Sequence, residues 1–257
     1  MKRQSYIQVT IVAGFVLLWT LVSVSGIWFE RLFPSPWLVL IEAIKHLREG
    51  AIYPHFFYSA YEVLWGFLIG AGLGVALGLL LGSRRALGEI FEPLVLALAP
   101  VPKIIIYPIF LWFLGIGIYS RVGMGAASTF FPMVIYAAVS VRQVRPIHLE
   151  AARLLGAHRW NLWTRVYMPA MLPYLWVGLR LGIAISIVGI LLSETKLSQK
   201  GLGFLIIEYY NHFQITEMYA VLLLVFALAI GINSFLSWVQ GRIPALRHGR
   251  QIREGIF

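Results

Sequence analysis

Four ionisable side chains lie inside or at the ends of long apolar stretches of the sequence: Glu62, Lys103, Arg180 and Glu194. A charge without a partner in an apolar surrounding costs at least ~2.5 kcal/mol, so each is a candidate functional residue. Lys103 could attract an anionic solute, or it could donate to backbone carbonyls that Pro100 and Pro102 leave free. We expect a structural pairing for Arg180, while Glu62 and Glu194 could each pair with a basic residue or act at an outer gate.

Other reactive side chains are missing or poorly placed for catalysis. The chain has no Asp and no Cys, which excludes thiolate nucleophiles, thiolate zinc sites and Asp-based phosphoryl transfer. Its six histidines are scattered, and no two have the i, i+4 spacing of a helical metal-ligand pair. Serines are available for a hydrolase, but no histidine lies deep in an apolar stretch to act as the base. We therefore predict no catalytic site, no metal site and no enzymatic activity.

The elements that must position these residues are membrane-spanning helices. Of the 257 residues, 12% are charged and 60% are hydrophobic, whereas about 25% are charged in soluble domains. The sequence predicts an all-α membrane protein with six transmembrane helices of about 20 residues each. They are predicted at Tyr6–Phe29, Phe57–Leu81, Leu94–Leu114, Val122–Val139, Leu172–Leu192 and Tyr219–Val239. Prolines and glycines predict that the third and fourth are kinked or partly unwound.

The distribution of Lys and Arg orients these helices. Thirteen fall on the side that receives both termini and six on the other, which places both termini in the cytoplasm. The first apolar run is too long for a signal peptide, so we expect it to be retained. No single-sign patch remains on the outer side, and the net charge of +10 therefore does not indicate nucleic-acid binding. The basic run Arg242–Arg253 could contact anionic lipid headgroups.

Side chains within these spans provide candidates for a solute path: Lys103, Tyr107, Trp112, Arg180 and Glu194. The two aromatic residues could stack on a ring-bearing solute, and contact with lipid or a neighbouring helix is the alternative. A glycine stripe in the second span (Gly66, Gly70, Gly74, Gly78 and Gly82) predicts close packing against another helix.

Between the first two spans, Leu38–Glu49 predicts a short amphipathic helix on the membrane surface. Its polar face holds Glu42, Lys45, His46 and Glu49. Its apolar face holds Leu40, Ile41, Ile44 and Leu47. Packing is the expected role of this helix, and solute or partner binding is the alternative.

The longest inside loop, residues 141–169, is the most specific part of the sequence. Glu150–Leu155 favours a helix, Gly156 is a natural helix stop, and Ala157 is small enough for close approach. His158–Tyr167 predicts a second short helix that ends at Pro169. Two short helices joined at a glycine would form a compact projection that could fit into a groove of another protein.

This loop resembles the EAA loop of the permease subunits of bacterial ATP-binding-cassette importers. The family pattern is Glu-Ala-Ala, three residues, Gly, nine residues, Ile, one residue and Leu-Pro. Here Glu150-Ala151-Ala152, Gly156, Val166 and Met168-Pro169 meet every spacing, with Val for Ile and Met for Leu. The resemblance extends over roughly residues 33–239. Motifs such as Trp112–Gly117 and Gly201-Leu202-Gly203 are similar to the branch for nitrate, sulfonate, taurine, bicarbonate and small heterocyclic solutes.

The resemblance implies the type I importer permease fold in the bacterial inner membrane and a single permease domain over residues 1–257. Residues 1–56 would hold the first span and the outer segment, 57–240 the core with the coupling loop 141–169, and 241–257 a cytoplasmic tail. The implied coupling residues, which contact a separate ATPase, are Glu150, Ala151, Ala152, Arg153, Leu154, Gly156 and Ala157.

The resemblance also implies partners. These are two ATPase subunits that bind ATP and magnesium, a second permease copy and a periplasmic solute-binding protein. The chain has no phosphate loop of its own and is expected to bind no cofactor. The solute would be a small organic or inorganic anion or a small heteroaromatic compound. An ion-coupled secondary carrier is the alternative, although only Glu62 and Glu194 could serve as its ion ligands and no internal repeat is visible.

Overall fold

The computed structural model describes residues 2–25 and 32–243, which fold into helices joined by turns. The helices are α1 (Lys2–Val24), α2 (Pro36–Glu49), α3 (Tyr53–Ser83), α4 (Arg85–Leu98), α5 (Tyr107–Leu114), α6 (Ile118–Arg142), α7 (Pro146–Leu154), α8 (Arg159–Leu162), α9 (Met168–Leu197), α10 (Leu202–Asn211) and α11 (Ile215–Arg242). A 3₁₀ turn at Lys103–Ile106 precedes α5, and a π-helical turn at Trp163–Tyr167 joins α8 to α9. The all-α prediction is confirmed for these residues.

Four continuous helical segments are long and apolar enough to cross a bilayer: Tyr53–Ser83, Ile118–Arg142, Arg159–Leu197 and Ile215–Arg242. The pair α4 and Lys103–Leu114 forms one broken candidate span with a bend of 91°. In α1 the apolar part is shorter, Val9–Val24, and the end of the predicted first span, at residues 26–29, lies outside the described residues. Following the predicted orientation, we call the end with Tyr53 and Leu197 outer, and the end with Ser83 and Met168 inner.

Prolines act differently in the two spans that were expected to be irregular. In the third, the helix stops at Leu98, and Pro100 and Pro102 lie in the break, as expected for residues that cannot donate a backbone hydrogen bond. In the fourth, α6 runs uninterrupted through Pro132, so the expected unwinding is absent. Because α6 packs against α3 on one side and α9 on the other, tertiary packing offsets the lost hydrogen bond.

The glycine stripe of α3 lies against α6. A Cβ atom at Gly70 would overlap the Ala126 carbonyl oxygen and come within 2.8 Å of Thr129 Cβ. At Gly74 and Gly78 it would meet the next two turns of α6 just as closely, whereas Gly72, on another face of α3, has no atom within 4 Å. The two backbones therefore approach closely along the length of α3, as small residues allow in lipid.

Helix α2 starts at an N-cap, where the Ser35 hydroxyl accepts a hydrogen bond from Leu38 N–H (3.4 Å), and it ends at Gly50 with φ of 77°. It packs against α11 and buries His46, whose ring lies 5.6 Å from that of Tyr209. The predicted polar face is thus partly buried, because Tyr209 of α10 and helix α11 pack on the side that holds His46. Burial raises the pKa of Tyr209, and the hydrogen bond from Lys45 to Glu42 (2.9 Å) raises the pKa of Lys45.

Candidate functional site

The first candidate site is the inner projection formed by α7 and the turn that follows it. Pro146 begins α7 at a position where a backbone N–H is not needed. At its end, Ala157 N–H donates to the Ala152 carbonyl and Gly156 N–H donates to the Arg153 carbonyl, both at 2.9 Å. This pair of bonds is a Schellman motif, and it requires the left-handed backbone that Gly156 adopts at φ of 75°.

The coupling candidates lie on the outside of this projection. None of the residues of α7 is buried. Leu154 and Leu155 are 89% and 88% exposed, and Glu150, Ala151, Arg153 and Gly156 are also exposed. Ala152 and Ala157 are partly covered. The projection thus presents an apolar tip that nothing in the described residues covers, on a helix end whose geometry is fixed by its own backbone.

The segment after the projection differs from the prediction. The second short helix was expected to end at Pro169, but α8, the π-helical turn and α9 form one continuous helical run from Arg159 to Leu197. Pro169 lies in the first turn of α9, directly after the π-helical turn, and removes one backbone N–H donor from this run. The projection is therefore joined directly to a membrane-spanning helix that reaches the outer end.

The second candidate site is a buried polar cluster at the outer ends of α3, α6 and α9. Arg121 of α6 donates from Nε to Glu62 Oε1 at 2.6 Å, and their side chains are 3% and 0% exposed. The guanidinium also donates from Nη2 to the Tyr58 hydroxyl at 2.7 Å. This ion pair joins α3 to α6 inside the protein, where its removal from water is offset by direct hydrogen bonds.

Glu194 connects the same cluster to the turn between α9 and α10. Its fully buried carboxylate accepts hydrogen bonds from the Ser59 hydroxyl (2.6 Å) and from Gly203 N–H (2.7 Å). Ser59 in turn accepts a hydrogen bond from Leu202 N–H at 2.8 Å. A side chain at Gly201 would overlap the Glu194 carboxyl group, and one at Gly203 would overlap the Leu191 carbonyl oxygen and Glu194 Cβ, which explains why this turn reads Gly-Leu-Gly.

The structure places the path candidates in different surroundings. Lys103 Nζ donates to the carbonyls of Leu98 (2.9 Å), Ala99 (2.8 Å) and Val101 (2.6 Å). All three of its donors are used, which favours the structural alternative over attraction of an anion.

The other path candidates do not hydrogen-bond to Lys103 within the described residues, and each lies in its own surroundings. Tyr107 is buried, and its hydroxyl has no hydrogen-bond partner among the described residues. Trp112 is 86% exposed on α5. Arg180 donates to Gln240 (3.1 Å) and Asn233 (2.5 Å) of α11, beside an apolar crevice of about 660 Å³ between α9 and α11. Of these path candidates, Glu194 is bonded within the buried polar cluster, and Tyr107 faces Arg121 of that cluster.

Sequence reasoning missed Arg121, Tyr58 and Ser59. Arg121 was assigned to an outer connecting segment, whereas it is a buried residue of α6. A signal was present: Glu62 precedes Gly66 by four residues and therefore continues the glycine stripe that faces α6. That spacing indicates that the partner of Glu62 comes from the outer end of the helix that packs on the stripe.

Residues 70–246 match the family model described as the binding-protein-dependent transport system inner membrane component. The chain belongs to this family. It is a subunit of a bacterial transport system of the ATP-binding-cassette type, it is not itself an enzyme, and it is a multi-pass protein of the inner membrane.

Named relatives resemble the chain over most of its length. The putative aliphatic sulfonates transport permease protein SsuC of Bacillus subtilis is 25% identical over 92% of this chain and 86% of its own. The nitrate import permease protein NrtB of Synechocystis is 28% identical over 73% of this chain and 68% of its own. The bicarbonate transport system permease protein CmpB of Synechococcus elongatus is 27% identical over 89% of this chain and 86% of its own.

Proposed function

We propose that this chain forms the translocation path of an ATP-binding-cassette importer and is coupled to a separate ATPase through α7 and the Gly156–Ala157 turn. One observation carries the proposal: Leu154 and Leu155 are almost fully exposed at a helix end outside the spanning segments. Exposed apolar side chains of this kind mark a protein interaction surface. Because the Schellman motif fixes the shape of the tip, a partner groove would receive a preformed element.

The continuous run from Arg159 to Leu197 gives the coupling a physical route. A partner that moves the projection would move α9 with it, since no loop interrupts the helical hydrogen bonding between α8 and α9. The far end of α9 carries Glu194 and the turn to α10. Motion of the ATPase would in this way reach the outer end of the permease.

The assembly that fits this role has two permease copies, two ATPases that bind ATP and magnesium, and a periplasmic binding protein that delivers the solute. We propose six spans per copy, made of α1, the broken pair and the four continuous segments, with both termini in the cytoplasm. Two features support this layout: the Lys and Arg bias of the connecting segments, and the exposure of α1 side chains, which indicates lipid or a second copy around that helix.

The solute is proposed to be a small organic or inorganic anion, or a small heteroaromatic compound. The names of relatives, which refer to aliphatic sulfonates, nitrate and bicarbonate, support the anion. Lys103 does not add to this support, because its donors are bound to carbonyls. Trp112 and Arg180 remain candidates for the wall of the path.

The decisive experiment is recovery of the ATPase with the tagged permease in mild detergent, compared between Leu155→Glu and Phe213→Glu. Leu155 and Phe213 are both strongly exposed, but Phe213 lies in the turn between α10 and α11, at the outer end. We expect Leu155→Glu to lose the ATPase and Phe213→Glu to retain it, with both variants monodisperse. Full ATPase recovery and solute uptake with Leu155→Glu would overturn the coupling assignment. Uptake that persists under ATP depletion would instead favour an ion-coupled carrier.

A further inference from the structure

The buried polar cluster contains more negative than positive charge at its centre. The carboxyl groups of Glu62 and Glu194 and the guanidinium of Arg121 are all buried. The other titratable and charged groups that face them or lie at the rim come from α3, α5 and the α9–α10 region: His55, Tyr58, Tyr107, Lys200 and Glu208. Lys200 and Glu208 carry opposite charges near His55. Two carboxylates would therefore share one cation, a costly arrangement in a buried site.

One carboxyl oxygen in the cluster lacks a hydrogen-bond donor. Glu62 Oε1 accepts from Arg121, but Glu62 Oε2 is buried and has no hydrogen-bond partner among the described residues. The Glu194 carboxyl lies beside that of Glu62, because it accepts a hydrogen bond from Ser59, which is buried one turn before Glu62 on α3. The two carboxyl groups are within hydrogen-bonding reach if one of them carries a proton. Both oxygens of Glu194 already accept one bond each and have lone pairs left. Two acceptor groups therefore lie side by side, and no donor among the described residues serves Glu62 Oε2.

We propose that Glu62 and Glu194 share one proton, and that this carboxyl–carboxylate pair is a proton-binding site that holds the turn at residues 198–203 against α3. The proton supplies the missing donor for Glu62 Oε2 and removes the excess negative charge. It belongs to the pair and not to either residue, because the two groups interact strongly. Arg121 then neutralises the single remaining charge.

The turn depends on this pair because it is built around Glu194. Gly201 and Gly203 leave room for the carboxyl group, Gly203 N–H donates to it, and Ser59 links it to Leu202 N–H. Gly201 N–H also donates to His55 Nδ1 at 3.2 Å. Loss of the proton would place two buried negative charges side by side, and repulsion would push Glu194 and its turn away from α3.

The sign of the pH dependence follows from proton counting. In the unfolded chain both glutamates are ionised at neutral pH, so the folded protein holds one more proton than the unfolded one. The free energy of unfolding therefore falls as pH rises from the range in which the unfolded glutamates ionise up to the value at which the pair releases its proton, and it levels off above that value.

Infrared spectroscopy of the purified chain in lipid tests the proposal directly. A protonated carboxyl group has a carbonyl band separate from that of carboxylates, and ¹³C-labelling of glutamate identifies it. We expect such a band in the wild type at neutral pH. It should be lost at high pH, absent in Glu62→Gln and Glu194→Gln, and unchanged in Glu89→Gln, whose side chain is largely exposed on α4.

The variants also separate a shared proton from a merely structural role. Glu62→Gln places an amide N–H where the proton would lie, so this variant should fold and should not show the decrease in thermal stability that the wild type shows as pH rises toward the release value. A wild-type spectrum without the band would overturn the proposal, as would a band that survives in both Gln variants. If the band is absent and thermal stability depends on sodium, the site binds a metal cation instead. That result would also overturn the proposal. The wild-type spectrum decides even if a variant fails to fold.

Discussion

The outer end of this protein buries polar side chains, whereas the inner end exposes apolar ones. At the outer end, Glu62, Arg121 and Glu194 are buried and bonded to neighbouring helices. At the inner end, Leu154 and Leu155 project from the end of α7 and are almost fully exposed among the described residues. Within this part of the chain, the outer site thus lacks only one donor, whereas the inner site has no covering surface.

The residues at the two ends therefore have different roles, positioning of helices at the outer end and partner binding at the inner end. A buried ion pair fixes the relative position of helices, because removal of either partner leaves an uncompensated charge. An exposed apolar tip contributes little to folding, so its residues can be selected for binding. Helix α9 connects the two ends, and substitutions along it are therefore expected to affect stability at the outer end and partner binding at the inner end.

The largest effect is expected from Arg121→Met. The substitution leaves the Glu62 carboxylate buried without its cation and should lower the free energy of unfolding by about 3–5 kcal/mol. Thermal unfolding in detergent measures it. Arg85→Met is the matched control, since Arg85 pairs with Glu89 on the exposed face of α4 and should change little. The double variant Arg121→Met with Glu62→Gln should recover part of the loss, and no recovery would show that Arg121 acts through packing alone.

The next effect is expected in the glycine stripe that carries the outer cluster. In Gly70→Ala the new methyl group would overlap the Ala126 carbonyl and crowd Thr129, and overpacking of this kind costs about 1–3 kcal/mol. Gly72→Ala lies half a turn away on the same helix and meets nothing within 4 Å. We expect a lower melting temperature only for Gly70→Ala. Equal melting temperatures would mean that α3 and α6 can separate without cost.

Features that depend on neighbouring or periodically spaced residues could be predicted from the sequence. The four-residue spacing of glycines identifies one face of α3, and Gly156 after a short helix identifies the end of α7. Long-range partners were not predictable. Arg121 lies 59 residues from Glu62 along the chain, and a cation near a helix start is as typical of a loop as of a buried pair. For Lys103, two alternatives are compatible with the sequence, and only the positions of three carbonyls distinguish them.

A smaller effect on stability, but a specific effect on coupling, is expected from Gly156→Ala. A left-handed backbone costs a residue with a side chain ~1 kcal/mol or more, which would loosen the Schellman turn below Leu155. Gly50→Ala is the matched control, because Gly50 also has a left-handed backbone (φ of 77°) after a helix end and only ordinary contacts to Tyr53, but lies at the outer end of the protein. ATPase recovery in the detergent pull-down should fall only for Gly156→Ala. Gly156→Asn should be tolerated better, since Asn adopts this conformation more readily. Equal losses of ATPase recovery in the two alanine variants would show that Gly156 has no specific role in coupling.

The smallest effect is expected from an ion pair of the same chemical type as Glu62–Arg121 but at the inner end. Arg142 of α6 pairs with Glu92 of α4, and the arginine side chain is about half exposed. Water screens such a pair, so a double-mutant cycle with Glu92→Gln and Arg142→Gln should give a coupling energy of about 0.2–1 kcal/mol. It should also weaken with added salt, unlike the buried pair. A coupling energy as large as that of Glu62 and Arg121, measured in the same detergent, would show that burial does not distinguish the two ends.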